Sequence, residues 1–248
     1  QGHGCAMIDI DFPDAVQWRV ATHVHDWLGG DALRALLGGW AKHGLIGRPS
    51  EFEVGDDDDP WIVEDAETLA DAILRVPRNR AGGVSGRMRG DQPRPWGLSF
   101  ILAAFDTQGG RTEGYSIVNL NLPRGESERN SAALLNCFEE LCRPDRCEYA
   151  SIHPRLRAEE LRMFAYTPPL TIAPMFAGLF WANFLGPGTI EAFDVGAIDS
   201  LAVARRRWFG DRGVAIVVTE DIASICTPKG EKRLIALTDQ LRAAVAPN

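Results

Sequence analysis

The sequence lacks the features by which membrane and exported proteins are recognised. No run among its 248 residues approaches the roughly 18 consecutive apolar residues that a membrane-spanning helix requires, and no charged N-terminal stretch precedes an apolar segment and a cleavage site. Lysine is also scarce, with 3 residues against 23 arginines, a skew more typical of a GC-rich genome than of a function. We therefore expect a cytoplasmic protein without a membrane partner.

Cysteine is scarce too, and its spacing argues against a metal site. Residues 1–6 resemble a protease-site and vector remnant, so Cys5 is set aside with them. Cys137, Cys142 and Cys147 are five residues apart, whereas zinc ligands usually come in pairs about two to four residues apart. We expect buried thiols in a reducing compartment, and no bound metal.

Motifs for cofactors and nucleophiles are absent as well. Gly82–Gly86 lacks the Gly-Lys-Ser/Thr ending with which a phosphate loop holds a nucleotide and its magnesium ion, and no Gly-x-Ser-x-Gly nucleophile elbow occurs. The segment 77–95 around it has arginines and glycines without helical or strand periodicity, which predicts a long mobile loop. We predict neither a cofactor nor catalysis.

What the chain does have is a strongly acidic segment. Between Glu51 and Asp71 lie 10 acidic residues and no lysine or arginine, so the net charge of −8 becomes +2 for the rest of the chain. A calcium loop starting at Asp56 would need glycine where Trp61 stands. Clustered carboxylates beside an aromatic residue suit a basic protein partner, whereas a net negative charge opposes nucleic-acid binding. The candidate contact residues are Glu51, Glu53, Asp56, Asp57, Asp58, Asp59, Trp61, Glu64 and Asp65.

A second interpretation rests on histidine. His23 and His25 are one residue apart, so on a strand both would point to one face and could bind one metal ion, as in a metal-dependent hydrolase. Such a site needs further ligands, and only His43 and His153 remain outside residues 1–6. Two polar histidines on the solvent side of a half-buried strand are the other explanation.

Hydrophobic periodicity predicts short strands alternating with helices. The predicted strands are 16–25, 98–105, 115–122, 148–152, 179–185 and 214–219, and the predicted helices are a helix capped by Asp31, 66–75, a helix capped by Ser127, 157–164, a short helix at Pro187 and 230–245. The segment around 51–59 is expected to be a loop.

This order of elements predicts an α+β fold. The strands come in hairpin-like pairs, which favours antiparallel sheets with helices packed on one side over a doubly wound parallel sheet. Pro168 and Pro169 mark a boundary between two halves of similar class, 7–167 and 168–248, which we expect to pack as one compact unit.

Three segments resemble bacterial polymorphic-toxin immunity proteins, and specifically the family known as immunity protein fifty-two. They are the pair Leu98–Phe105 and Tyr115–Pro123 (YSIVNLNLP), the segment Phe180–Pro187 (FWANFLGP), and Gly210–Gly213 (GDRG) running into Val214–Glu220. The resemblance covers most of the chain from about residue 16. It rests on scaffold residues, and the four-aspartate run and the Arg/Gly segment are particular to this chain.

The resemblance implies an antitoxin that binds and neutralises a secreted toxin without catalysis, in many cases a nuclease delivered by a type VI or contact-dependent system. A nuclease surface is basic because it holds phosphates, so the acidic segment would favour its encounter. A secretion-system adaptor that binds a delivery protein through the same acidic surface is a third interpretation.

Overall fold

The computed structural model describes residues 14–22, 30–54, 69–76, 83–106, 113–143, 148–154 and 178–244. These described residues form nine strands and eight helices. In chain order they are β1 Ala15–Thr22, α1 Asp31–Lys42, β2 Glu51–Val54, α2 Leu69–Arg75, β3 Val84–Gly90, β4 Trp96–Asp106, β5 Glu113–Pro123, α3 Arg124–Arg129, α4 Ser131–Leu141, β6 Tyr149–Pro154, β7 Ala182–Leu185, α5 Pro187–Ile190, α6 Val195–Ser200, β8 Arg205–Trp208, β9 Val214–Val217, α7 Ile222–Ile225 and α8 Pro228–Ala243.

The chain divides into two compact units. The first contains Thr22–Pro123, and the second joins Asp14–Ala21 to Arg124–Asn248. The strand order is β2-β3-β4-β5 in the first unit and β1-β6-β7-β9-β8 in the second, and the pairs within each are antiparallel. The predicted α+β class with antiparallel sheets is confirmed. The predicted boundary between 167 and 168 lies outside the described residues and stays a prediction.

The hairpin predicted from alternating residues is the centre of the first unit. β4 and β5 pair from Gly97 opposite Asn121 to Asp106 opposite Glu113. Val118, Leu120 and Leu122 are buried on one face, as their spacing of two predicts. On the other face Asn119 is half-buried and Asn121 is buried, so this face is not uniformly exposed to solvent.

The expected loop across 77–95 is wrong for Val84–Gly90, which is strand β3. Gly86 lies opposite Phe100, and Gly90 lies opposite Trp96. A Cβ at Gly86 would come within 2.6 Å of the Phe100 ring, and one at Gly90 within 2.6 Å of the Trp96 indole. The aromatic rings occupy the places of the missing side chains, a packing that stabilises glycine within a strand. The strand pattern was hidden because two of its four inward positions, alternating with buried Val84 and Met88, are glycines.

The first helix follows its predicted apolar stripe, with a different start. Leu33, Leu36, Leu37 and Trp40 are buried. The capping position belongs to Gly30, whose φ of 95° is in the left-handed region, and not to Asp31 as predicted. Asp31 lies in the first turn of α1, where a negative charge is favourable.

The second unit is closely packed around strands that are buried along their length. Every residue of β6, β7 and β9 is buried. On β1, the Trp18 ring lies 5.6 Å from that of Phe138 on α4, which makes part of a core. The predicted apolar stripe of α4 is confirmed, but Ser127 lies within α3 and does not cap α4, which begins after Asn130.

Side chains at the helix starts of the second unit satisfy backbone N–H groups that have no partner within a helix. Thr227 accepts a hydrogen bond from the Gly230 N–H at 3.1 Å and caps α8, which begins with Pro228. Glu148 accepts one from the Thr189 N–H at 2.7 Å at the start of α5. Within the described residues, no helix is both long and apolar enough to cross a bilayer.

Candidate functional site

The structure places two of the predicted contact residues on an edge strand instead of a loop. Glu51 and Glu53 are the first and third residues of β2, with buried Phe52 between them on the opposite face. The expectation of a loop here is wrong for residues 51–54, because Phe52 and the pairing with β3 hold this segment as a strand. The other predicted contact residues lie outside the described residues: Asp56, Asp57, Asp58, Asp59, Trp61, Glu64 and Asp65.

The acids of β2 lie beside arginines of β3. Glu51 is opposite Arg89 and Glu53 is opposite Arg87 in the antiparallel register. The Arg89 Nη2 and Glu51 Oε1 atoms are 3.2 Å apart, and both side chains are nearly half exposed. The arginines of β3 therefore balance the negative charge of β2. The sequence did not predict this, because the acidic segment itself contains no basic residue.

The far end of the acidic segment is paired in the same way. Asp71 on α2 accepts hydrogen bonds from Arg34 on α1, at 2.9 Å from Nε and 2.6 Å from Nη2. The hydrogen bond to Asp71 and its negative charge raise the pKa of Arg34 above its usual value. Both described ends of the acidic segment thus carry an ion pair to an arginine distant in sequence.

Beyond the two glutamates, one face of the first unit carries polar residues and an exposed isoleucine. Asn119 on β5 donates a hydrogen bond to the Ser99 hydroxyl on β4 at 3.2 Å. Ile101, two residues along β4 on the same face, is 42% exposed and lies opposite Ser85. A single exposed apolar residue is common on protein surfaces, so Ile101 alone does not identify this face as a binding surface.

A basic edge strand in the second unit was not predicted. β8 has the sequence Arg-Arg-Arg-Trp and alternates between exposed and half-buried residues. Arg205 pairs with Glu220 at 3.2 Å, and Arg207 pairs with Glu139 at 3.4 Å. Three consecutive arginines hide the strand pattern in the sequence, although Trp208 and the turn Gly210–Gly213 could have indicated a hairpin.

Two side chains fix the inner face of β8 against α6. The Trp208 indole donates a hydrogen bond to Asp199 at 2.9 Å, and Arg206 donates one to the Leu201 carbonyl at 2.6 Å. The Arg207 guanidinium also lies over the Phe209 ring, 5.1 Å from its centroid. The strand is therefore held in place while Arg205 and Arg207 remain about half exposed.

The histidines of the second interpretation, His23 and His25, lie outside the described residues. Among the residues that the structure does describe, no group of three or more His, Cys, Asp or Glu side chains could hold a metal ion. Cys137 and Cys142 are buried, as predicted, and Cys226 is half-buried; none of the three is in a disulfide within the described part of the chain. Burial raises the pKa of the Tyr149 hydroxyl well above its ordinary value.

Comparison with known proteins identifies a shared fold. No family model matches the chain, and no curated protein is similar to it in sequence. Among solved structures, the chain is similar to one described as Pseudomonas aeruginosa T6SS protein PA0821, with a TM-score of 0.54 and 11% sequence identity. The match covers 92% of this chain and 73% of that chain.

Proposed function

We propose that the protein is an immunity protein of a type VI secretion system, which binds and neutralises a cognate toxin. The observation that carries the proposal is the fold shared with a T6SS protein over 92% of the chain. Three segments that resemble immunity proteins lie on elements of this fold: the β4–β5 hairpin, the segment around β7 and α5, and the turn before β9. The protein would act in the cytoplasm by binding alone, without turnover or a cofactor.

The partner that best suits the charge distribution is a basic toxin domain, such as a nuclease. The 10 carboxylates between Glu51 and Asp71 are a concentrated source of negative potential. Asp56–Asp59 are four consecutive carboxylates, the densest part of this charge, so we expect the strongest attraction from them. Trp61 would supply an apolar anchor, and Ile101, which is exposed on β4, would supply a second apolar contact.

The first experiment is a growth assay with the toxin encoded beside this protein. Cells that express the toxin should survive when they also express this protein, and the two purified proteins should form a complex. Failure of both rescue and complex formation would contradict the immunity function. An adaptor would give neither rescue nor a complex with the toxin, and a pull-down from cells would recover a delivery protein instead, which separates the two interpretations.

The second experiment tests the acidic segment. Reversing Asp56, Asp57, Asp58 and Asp59 together to lysine should slow association at low salt by roughly tenfold or more, since steering by a charged patch changes on-rates by about 10 to 1,000-fold. Asp211→Lys, an exposed acid in the turn before β9, is the matched control and should have little effect. An unchanged association rate in the fourfold variant would contradict the role of this segment.

Metal analysis of the protein without residues 1–6 tests the hydrolase interpretation. We expect no stoichiometric zinc. Zinc that is bound through His23 and His25, together with hydrolysis that is lost in His23→Ala, would replace the immunity proposal with an enzymatic one.

A further inference from the structure

Two short strands of opposite charge have an open edge. Within the described residues, β2 has a strand neighbour on one side only, β3, and β8 has one only in β9. An edge strand presents backbone N–H and C=O groups that can pair with a strand of another chain. Natural proteins commonly place charges on such edges, which prevents pairing with edges of the same sign.

The charges on these edges have the same spacing. Glu51 and Glu53 are two residues apart on β2, and Arg205 and Arg207 are two residues apart on β8. Residues two apart on a strand point to the same face. Each edge therefore carries two like charges on one face, and Glu51, Arg205 and Arg207 are about half exposed.

The structure already contains one example of the pairing that this spacing permits. On its inner side, β2 pairs antiparallel with β3, which places Arg89 opposite Glu51 and Arg87 opposite Glu53. β8 repeats the Arg-x-Arg pattern of β3. The outer side of β2 thus offers the same two carboxylates to a second strand whose arginines are also two residues apart.

We propose that β8 of one copy of this chain adds antiparallel to the outer edge of β2 of a second copy. Arg207 then lies opposite Glu51, and Arg205 lies opposite Glu53. Pairing of β2 with β2, or of β8 with β8, places like charges opposite each other and is disfavoured. The interface is head-to-tail. A dimer has one unused β2 edge and one unused β8 edge, so further association gives a closed ring or an open chain.

The ion pairs within each copy do not prevent this contact. Glu51 is bonded to one arginine, and a carboxylate can accept hydrogen bonds at about four lone-pair positions. The pairs of Arg205 with Glu220 and of Arg207 with Glu139 are solvent-exposed, so rearranging them has a small free-energy cost. The net charge of −8 opposes association of whole molecules, and for this reason salt dependence alone does not test the contact.

Site-directed cross-linking tests the register. A copy with Glu53→Cys mixed with a copy with Arg205→Cys should form an intermolecular disulfide under mild oxidation, because directly opposite Cα atoms of antiparallel strands lie about 4.5–5.5 Å apart. Arg206→Cys in place of Arg205→Cys is the matched control, since its side chain points to the other face, and it should cross-link at least about tenfold more slowly. The unmodified chain and each variant alone give the background from the native cysteines. Equal rates for the two variants, or no cross-link above background, would overturn the proposal.

A charge exchange provides an independent test. Sedimentation velocity of the unmodified chain should show a mass that rises above 27.2 kDa with concentration. Arg205→Glu with Arg207→Glu should lower the association constant about tenfold or more, and so should Glu51→Lys with Glu53→Lys, because each removes two cross-strand pairs. A mixture of the two variants should associate again, since an acidic edge then meets a basic one in both directions. A monomeric chain at every concentration, or a mixture that stays monomeric while both variants show native circular dichroism, would refute the contact.

Discussion

Asn183 completes the backbone hydrogen bonding of a residue three positions before it. Its side-chain oxygen accepts from the Phe180 N–H at 2.8 Å, and its amide donates to the Phe180 carbonyl at 2.9 Å. Asn183 itself is fully buried. At the residue scale, the FWANFLGP segment therefore uses its asparagine to satisfy a buried backbone where the strand has not yet begun.

Asn183→Ala is expected to lower the free energy of unfolding by about 2–6 kcal/mol, because it leaves a buried N–H and a buried C=O without partners at about 1–3 kcal/mol each. Chemical denaturation followed by circular dichroism measures this. Asn119→Ala is the control, since its hydrogen bond to Ser99 lies in a half-buried position, and its effect should be under about 1.5 kcal/mol. Equal losses for the two variants would contradict the role of Asn183.

Gly86 and Gly38 differ in the space that surrounds them. A Cβ at Gly86 would lie 2.6 Å from both the Glu53 carbonyl and the Phe100 ring, whereas a Cβ at Gly38 on α1 would meet nothing within 4 Å. We expect Gly86→Ala to destabilise by about 1–3 kcal/mol and Gly38→Ala to stabilise by about 0.5–1 kcal/mol. Denaturation midpoints should move in opposite directions, and a shift of the same sign for both would be inconsistent with this packing.

At the scale of elements, individual polar residues determine where a helix starts and which side chains an edge strand exposes. α8 is the longest described helix, with 16 residues, and its Thr227 cap and Pro228 fix where it begins. β2 and β8 are short edge strands that alternate charged side chains with residues held against the unit. The bounds of a helix or strand in this protein therefore depend on the residues at its ends as much as on its hydrophobic periodicity.

Thr227→Ala should reduce the free energy of unfolding by about 1 kcal/mol, because the Gly230 N–H loses the side-chain oxygen that accepts its hydrogen bond. Thr227→Ser retains that oxygen and should restore most of the loss. Thermal or urea denaturation of the pair measures the difference, and a serine variant as unstable as the alanine variant would argue against capping.

At the scale of the whole molecule, burial of a tyrosine predicts a limit at alkaline pH. The hydroxyl of an unfolded tyrosine has a pKa near 10, and burial raises the pKa of Tyr149 above that value in the folded state. Above about pH 10 the unfolded chain loses this proton first, so the folded state becomes less stable as pH rises, and the stabilisation is fully present below that pH.

Tyr149→Phe should therefore remove part of the decline in unfolding free energy above about pH 10, even if the variant differs in stability at neutral pH. Stability curves of both proteins between neutral and alkaline pH measure the slope. Identical slopes above pH 10 would show that Tyr149 ionises in the folded state as it does in the unfolded one.

The sequence by itself determined the elements whose side chains alternate without interruption. The β4–β5 hairpin, the apolar stripes of α1 and α4 and the antiparallel α+β class follow from periodicity, because apolar residues recur along one face of each segment at the strand or helix period. Segments that carry glycine or charged residues at alternate positions could be recognised as strands only from the tertiary structure. In β3 the rings of Phe100 and Trp96 replace side chains that the sequence lacks, and such a ring can be supplied only by another strand.

The same distinction between sequence and tertiary structure applies to the candidate site. The acidic segment is visible in the sequence because charge depends on composition alone. Its pairing with Arg34 and Arg89 is not, since these arginines lie 37 and 38 positions away from Asp71 and Glu51 along the chain and are brought close by packing of α1 against α2 and of β3 against β2. The free charge of a surface is what remains after such pairs form, and only the fold determines which pairs form.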